Sequence, residues 1–156
     1  MMKILLIEDD EEKCRIISDF VREEFQNVEL ETARSFNSGL RAVIKGAKSY
    51  SVVLLDMSMP NYDISIDEPG GGTPESFAGS DLLSQMKLRG IQTPTIVVTM
   101  FDKFGDEPNR MSLPQLIANL DAQFRPTFRG LTYYNPAEDG WRSSLKSLIN
   151  SIVEEK

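Results

Sequence analysis

Acidic side chains follow two short apolar runs of the sequence. Glu8, Asp9 and Asp10 come directly after KILLI, and Asp56 comes directly after SVVLL. Carboxylates that share one pocket repel each other, and some keep their protons unless a cation intervenes. A hard divalent cation such as Mg²⁺ binds oxygen ligands and retains several waters, which leaves room for phosphate oxygens. These residue types therefore favour a Mg²⁺ site in which an aspartate oxygen attacks a phosphoryl group.

The acids lie at the ends of predicted strands. Three segments are apolar throughout and predict strands buried on both faces, whereas two alternate and predict edge strands. In chain order the strands are predicted at 3–7, 28–32, 51–55, 95–98 and 131–134, with the second and the last at the edges. Apolar residues at helical spacing predict a helix after each strand. This alternation predicts a flavodoxin-like (βα)5 three-layer sandwich with a parallel sheet in the order 2-1-3-4-5.

Ligands of such a sheet bind beyond the carboxyl ends of its central strands. The first strand delivers Glu8 and Asp9 to that edge, the third delivers Asp56, and the fourth delivers Thr99. Taken singly, an aspartate after a strand is more often a turn or cap residue than a ligand, and Thr99 is as often a cap as a ligand. Together they end the correct strands of one topology, so we expect their side chains to converge.

The length of 156 residues is that of one domain, and a single domain over 1–156 is expected. Two predicted connections, at about 57–78 and 100–111, exceed the ~2–6 residues usual between such elements and are interpreted as inserted loops. No apolar run is long enough to span a membrane, and the first residues do not resemble a signal peptide. A cytoplasmic protein is therefore expected, with no segment left over for a DNA-binding output domain.

Charge and composition disfavour several classes of function. The net charge is −7 and no basic patch is visible, which disfavours binding to nucleic acid. The chain has no histidine and a single cysteine, Cys14. This excludes the common Cys/His zinc sites, an internal disulfide, and catalysis by Ser-His-Asp or Cys-His groups.

The strings ILLIEDD, VLLDMSMP and IVVT, each spanning the end of a predicted central strand, resemble the receiver domain of two-component response regulators. The resemblance implies that Asp56 is the phosphoacceptor and that Asp9 is a direct Mg²⁺ ligand. It implies that Glu8 acts on the metal through water and that Ser58 contributes its backbone carbonyl. It also implies that the hydroxyl of Thr99 contacts the phosphoryl group.

The chain departs from this family after the last strand. Receivers carry a lysine there, just before a proline, and it pairs with the phosphoryl group; this chain has Asn135. Asparagine can donate a hydrogen bond to a phosphoryl oxygen but brings no charge, so weaker transition-state stabilisation is expected. Lys103, in the second inserted loop, could substitute for that charge, although an ordinary solvated lysine is the favoured interpretation. The family's aromatic position falls on Thr132, beside Tyr133 and Tyr134.

The resemblance implies phosphorelay signal transduction. A histidine kinase or phosphotransfer protein would phosphorylate Asp56, and output would pass through contacts with a downstream protein partner. The chain would not be an enzyme beyond catalysing its own phosphorylation and dephosphorylation. The alternative is a pseudo-receiver, an interaction module whose loops bind a partner without phosphorylation. A phosphatase is disfavoured because Ser58 stands where a second acid is needed, and FMN binding is disfavoured because the loop after the first strand is acidic.

Overall fold

A parallel sheet carries the candidate residues; the computed structural model describes residues 2–62, 76–105, 107–108 and 110–155. In chain order the strands are β1 (Met2–Ile7), β2 (Val28–Ala33), β3 (Val52–Leu55), β4 (Thr95–Thr99), β5 (Lys103–Phe104), β6 (Met111–Ser112) and β7 (Phe128–Tyr133). The sheet has the order β2-β1-β3-β4-β7 and all of its pairs are parallel. This confirms the predicted order, in which the fifth strand corresponds to β7.

Helices within the described residues cover both faces of the sheet. They are α1 (Glu11–Glu24), α2 (Phe36–Lys45), α3 (Ala78–Leu88), α4 (Leu113–Phe124) and α5 (Gly140–Val153). Helices α1 and α5 pack on one face, and α2, α3 and α4 pack on the other. The three predicted layers are therefore present. Among the helices that the structure describes, none is both long and apolar enough to cross a lipid bilayer.

The pattern of burial follows from this layering. Every residue of β3 and β4 is buried, because helices cover both faces of the central strands. Strands β2 and β7 lie at the edges and are less buried: partly buried and exposed positions alternate over most of β2, and β7 has buried, partly buried and exposed positions. The apolar runs and the alternating runs of the sequence thus predict the central and edge strands correctly.

Side-chain caps fix where two of the helices begin. The Asp10 side chain accepts a hydrogen bond from the Lys13 amide at 2.9 Å, so Asp10 is the cap of α1. Ser112 and Gln115 form a capping box at the start of α4, each side chain accepting a hydrogen bond from the other residue's amide. These caps satisfy backbone amides that the helices themselves leave unpaired.

The second long connection contains a short antiparallel ribbon that the sequence did not reveal. In this ribbon β5 pairs with β6, and Lys103 lies opposite Ser112. Phe104 is buried within the core beneath α3 and α4, with its ring centroid 6.4 Å from that of Phe77. Two-residue strands have no detectable periodicity, so an inserted loop was the only prediction available. The first predicted insertion, at about 57–78, includes residues 63–75, which lie outside the described residues.

Candidate metal and phosphoryl-transfer site

The carboxyl ends of the central strands meet at one edge of the sheet. Ile7 lies opposite Leu55 in the ladder between β1 and β3, and Leu55 lies opposite Val97 of β4. The Asp56 amide donates a hydrogen bond to the Ile7 carbonyl oxygen at 3.0 Å, which extends the pairing one residue beyond the strand. This register sets Glu8 and Asp56, the residues that follow β1 and β3, beside each other.

The predicted acidic cluster forms. One carboxylate oxygen each from Glu8, Asp9 and Asp56 lies within 4.8 Å of the other two. Glu8 and Asp56 are only 1% and 4% exposed. Burial and the negative charge of Asp56 raise the pKa of Glu8 to about 9, although Lys13 opposes the shift. Burial and the charge of Asp56 also raise the pKa of Asp9.

These donors suit Mg²⁺. Glu8 Oε1 is buried and, apart from an ion pair with Lys13, has no hydrogen-bond partner in the part of the chain that the structure describes. When all are ionised, the carboxylates of Glu8, Asp9 and Asp56 and the ammonium of Lys13 carry a net charge of −2. A divalent cation would neutralise this charge.

The loop after β3 is held tightly. Asp56 Oδ1 accepts a hydrogen bond from the Met57 amide at 2.8 Å. The Gly79 amide, at the start of α3, donates to the Met57 carbonyl oxygen at 2.9 Å. A Cβ atom at position 79 would lie 2.6 Å from the Asp56 carbonyl oxygen, so only glycine allows this approach. The first turn of α3 therefore fixes the backbone that carries Asp56.

Lys13 also lies in the site, and the sequence analysis did not find it. Its Nζ atom is 2.7 Å from Glu8 Oε1 and 3.3 Å from Asp56 Oδ1. It also donates a hydrogen bond to the Val98 carbonyl oxygen at 2.9 Å. Burial alone would lower the pKa of Lys13, but the carboxylates of Asp56 and Glu8 outweigh it and raise that pKa above its ordinary value. Lys13 is therefore held as a buried ammonium.

The spacing of α1 contains a signal for this position. Ile17 and Val21 are buried on the face of α1 that meets the sheet, and Lys13 precedes Ile17 by one helical turn. A lysine on the buried stripe of a helix needs acidic partners. The acids of the first turn hid this signal, because a lysine among them reads as part of a solvated helix start.

The remaining predicted site residues lie in different surroundings. Thr99 is fully buried at the end of β4, and its hydroxyl oxygen accepts a hydrogen bond from the Phe101 amide at 3.3 Å. Ser58 is partly buried, two residues after Asp56. The Asn135 side-chain oxygen accepts a hydrogen bond from the Ala137 amide at 3.0 Å, which ties it into its own turn.

Lys103 is exposed on β5. Among the ion pairs that the structure describes, none joins Lys103 to an acid of the site. The assignments of Lys103 and Asn135 to phosphoryl binding remain predictions.

The end of β7 contributes aromatic side chains. Tyr133 lies opposite Thr99 in the ladder and is 42% exposed, so an aromatic residue adjoins Thr99 one position after Thr132, the position that the resemblance implies. The Tyr134 ring is buried against Trp141, with centroids 5.1 Å apart, and its centroid lies 5.8 Å from Lys13 Nζ. The Tyr134 ring therefore covers one side of the Lys13 ammonium.

Comparison with known proteins agrees with this geometry. No model of a known protein family matches the sequence. The Detocs response regulatory protein DtcB of Enterobacter cloacae is 30% identical over 151 residues, covering 97% of this chain and 100% of DtcB.

Two solved structures share the fold. A response regulator receiver domain protein from Clostridium thermocellum aligns with a TM-score of 0.64 at 20% identity, covering 99% of this chain and 96% of that chain. The response regulator TrrA of Thermotoga maritima, solved in complex with Mg²⁺-BeF, aligns with a TM-score of 0.59 at 15% identity, covering 95% and 99%. With a sheet in receiver order and a relative matched over its whole length, the chain belongs to the receiver domains of response regulators.

Proposed function

We propose that this chain is a Mg²⁺-dependent phosphoacceptor in a phosphorelay and that Asp56 is the residue modified. The observation that carries the proposal is the convergence of Glu8, Asp9 and Asp56 within 4.8 Å at the ends of β1 and β3. Buried carboxylates so close together repel one another unless a cation intervenes, and such clusters are typical of functional sites.

The metal would be held by residues that this edge of the sheet presents. The side chains of Asp9 and Asp56 and the backbone carbonyl of Ser58 would bind Mg²⁺ directly, and Glu8 would act through water. When bound, the ion would neutralise charge on the oxygens of the transferred phosphoryl group.

The covalent step uses the Asp56 carboxylate. One of its oxygens forms a bond to phosphorus while the bond from phosphorus to the donor breaks, and the electron pair of that bond leaves with the donor group. The hydroxyl of Thr99 accepts from the Phe101 amide, so its own proton is available for a phosphoryl oxygen. The Asn135 amide group would supply a further donor. The product is an acyl phosphate on Asp56.

Receiver domains exchange signals with kinases, phosphatases or other proteins. For this chain we assign phosphoryl donation to a histidine kinase or phosphotransfer protein, and output to a downstream protein partner. On this proposal the chain is one cytoplasmic domain over 1–156, and the only reactions it catalyses are its own phosphorylation and dephosphorylation.

Mass spectrometry of the intact protein tests this function. With Mg²⁺ and acetyl phosphate or phosphoramidate, we expect the chain to gain one phosphoryl group, which hydroxylamine removes. Asp56→Asn should gain none, and chelation of Mg²⁺ should prevent labelling of the parent. Labelling that persists in Asp56→Asn would place the phosphoacceptor elsewhere.

A second candidate function is that of a pseudo-receiver, which binds its partner through its loops without phosphorylation. Asn135 in place of the family lysine favours it, and so does the pairing of Asp56 with a lysine of its own chain. The affinity of the chain for its partner distinguishes the phosphorelay from the pseudo-receiver. Binding that Asp56 phosphorylation changes supports the phosphorelay, and binding that is equal in the parent and Asp56→Asn under phosphorylating conditions supports the pseudo-receiver.

A further inference from the structure

We infer that Lys13 is the catalytic cation of this site and that it replaces the lysine that receivers otherwise carry after their last strand. The inference rests on the proposed function, since it assigns a residue to the phosphorylation of Asp56. It places the positive charge on the first turn of α1, far from Asn135 in the sequence.

The contacts of Lys13 fix its ammonium beside the reacting carboxylate. An ammonium has three donor positions. The Nζ atom of Lys13 meets three acceptors, namely the Val98 carbonyl oxygen at 2.9 Å, Glu8 Oε1 at 2.7 Å and Asp56 Oδ1 at 3.3 Å. Because Lys13 is only 2% exposed, solvent does not screen this charge. The side chain is therefore already in place before any phosphoryl donor arrives.

The charge of the site requires such a group. A phosphoryl group brings about 1.5 to 2 further negative charges into a pocket that already contains three carboxylates. A divalent ion offsets only part of this negative charge. Within the part of the chain that the structure describes, Lys13 is the basic side chain paired with these acids, whereas Asn135 is neutral and Lys103 is exposed on β5.

The arrangement at Asp56 also suits attack by one particular oxygen. Asp56 Oδ1 is engaged by the Met57 amide at 2.8 Å and by Lys13. The contacts of the Met57 amide and of Lys13 are thus with Oδ1, and the second oxygen of Asp56, Oδ2, is the one we assign to the attack on phosphorus. In the step, Oδ2 bonds to phosphorus, the bond to the donor group breaks with its electron pair, and that group takes a proton from water. Lys13 keeps all its protons and stabilises the negative charge on Oδ1 and on the phosphoryl oxygens.

A merely structural lysine would neutralise Glu8 and Asp56 and do nothing more. The two roles differ in their effect on metal binding. A structural lysine holds the acids in place for the metal, so its loss weakens Mg²⁺ binding and phosphorylation together. A catalytic lysine is not needed for the metal, so its loss slows phosphorylation while Mg²⁺ binding is kept or strengthened.

The test uses Lys13→Met, which keeps the apolar stem, and Arg15→Met as the matched control. Arg15 is a cation of the same helix whose side chain is 63% exposed, whereas that of Lys13 is 2% exposed. Circular dichroism verifies folding, calorimetry gives Mg²⁺ affinity, and labelling by phosphoramidate gives the rate. We expect Lys13→Met to label at least ~100-fold more slowly with Mg²⁺ affinity retained. Arg15→Met should match the parent.

Labelling of Lys13→Met at the parental rate would overturn the inference and leave the assignment of Asp56 intact. A parallel loss of Mg²⁺ affinity and of labelling would overturn it in favour of a structural role. A parent that no phosphodonor labels would overturn the proposed function and this inference together. The double variant Lys13→Met/Asn135→Lys, which moves the cation to the family position, should regain much of the lost rate.

A measurement on the unaltered chain covers the case in which Lys13→Met does not fold. In a crystal structure of the parent with Mg²⁺ and beryllofluoride, we expect Lys13 Nζ within about 3 Å of a fluorine atom. A structure in which Lys103 contacts the fluoride and Lys13 pairs with Glu8 alone would overturn the inference.

Discussion

Lys13 Nζ and Glu8 Oε1 lie 2.7 Å apart, and each side chain is almost completely buried, at 2% and 1% exposure. A buried ion pair of this kind contributes little net stability relative to apolar residues, but the loss of one partner strands the other. The stability of the fold therefore depends on whether both partners of this pair are present in the site.

The first prediction concerns this pair. Lys13→Met should lower the free energy of unfolding of the metal-free protein by about 3–5 kcal/mol, because Glu8 and Asp56 lose their buried cation. Urea denaturation in the presence of EDTA, at a pH above about 9 where Glu8 is ionised, measures the change. The double variant Lys13→Met/Glu8→Gln should recover part of the loss, because one stranded acid is removed. Strict additivity of the two single changes would contradict the coupling.

The second prediction concerns pH. The pKa of Glu8 is raised from the ordinary 4.5 to about 9 in the folded protein, so between these values the folded state binds a proton that the unfolded state has lost. The stability of the metal-free protein should therefore decrease as pH rises through this window, by up to about 1.4 kcal/mol per pH unit. Urea denaturation at about pH 6 and about pH 8.5 measures the slope. Glu8→Gln should flatten it.

The third prediction follows from the same proton. Mg²⁺ must displace it from Glu8, so metal binding should release protons and strengthen as pH rises towards about 9. Isothermal titration calorimetry in two buffers of different ionisation enthalpy measures the proton release. An affinity that is independent of pH would show that Glu8 does not interact with the metal.

The fourth prediction concerns Asp9. Mg²⁺ at about 100 times its dissociation constant should stabilise the parent by about 2.7 kcal/mol, because it binds only the folded state. Asp9→Asn should lose most of this effect while remaining folded without metal. Thermal unfolding with and without Mg²⁺ measures both. Asp10→Asn is the matched control, because Asp10 caps α1 and asparagine can also act as a cap.

The fifth prediction concerns Gly79. Gly79→Ala would place a methyl group 2.6 Å from the Asp56 carbonyl oxygen, so either α3 or the loop after β3 must shift. We expect a loss of about 1–3 kcal/mol in stability and slower labelling of Asp56. Denaturation and phosphorylation kinetics measure the two effects. Gly140→Ala is the control, since a Cβ there meets no atom within 4 Å.

Much of the architecture could be predicted from the sequence because hydrophobic periodicity encodes it. Buried central strands read as unbroken apolar runs, and edge strands read as alternating ones. The convergence of Glu8, Asp9 and Asp56 followed from the strand order alone. The starts of α1 and α4 at Asp10 and Ser112 are also encoded locally, because capping depends on contacts between residues close in sequence.

The parts that escaped prediction depend on contacts distant in sequence. Lys13 reaches the Val98 carbonyl oxygen, 85 residues away, and no local pattern encodes that hydrogen bond. Lys103 was the candidate cation because it follows Thr99 closely in sequence, yet β5 leaves it exposed. Proximity to Thr99 in the sequence was therefore a poor guide, whereas Lys13 follows Glu8 closely and was missed because the acids around it indicated a solvated helix start.

The position of Lys13 has a consequence for how the chain can vary. Glu8, Asp9, Lys13 and Asp56 all lie within the first 56 positions of the 156. The β7–α5 connection thus carries no charged member of this cluster and is released from an electrostatic constraint. Its residues other than Asn135 are free to vary in sequence and in number, so long as the Tyr134 ring continues to cover the Lys13 ammonium. A segment freed in this way can acquire a new binding specificity while the chemistry at the other end of the chain stays the same.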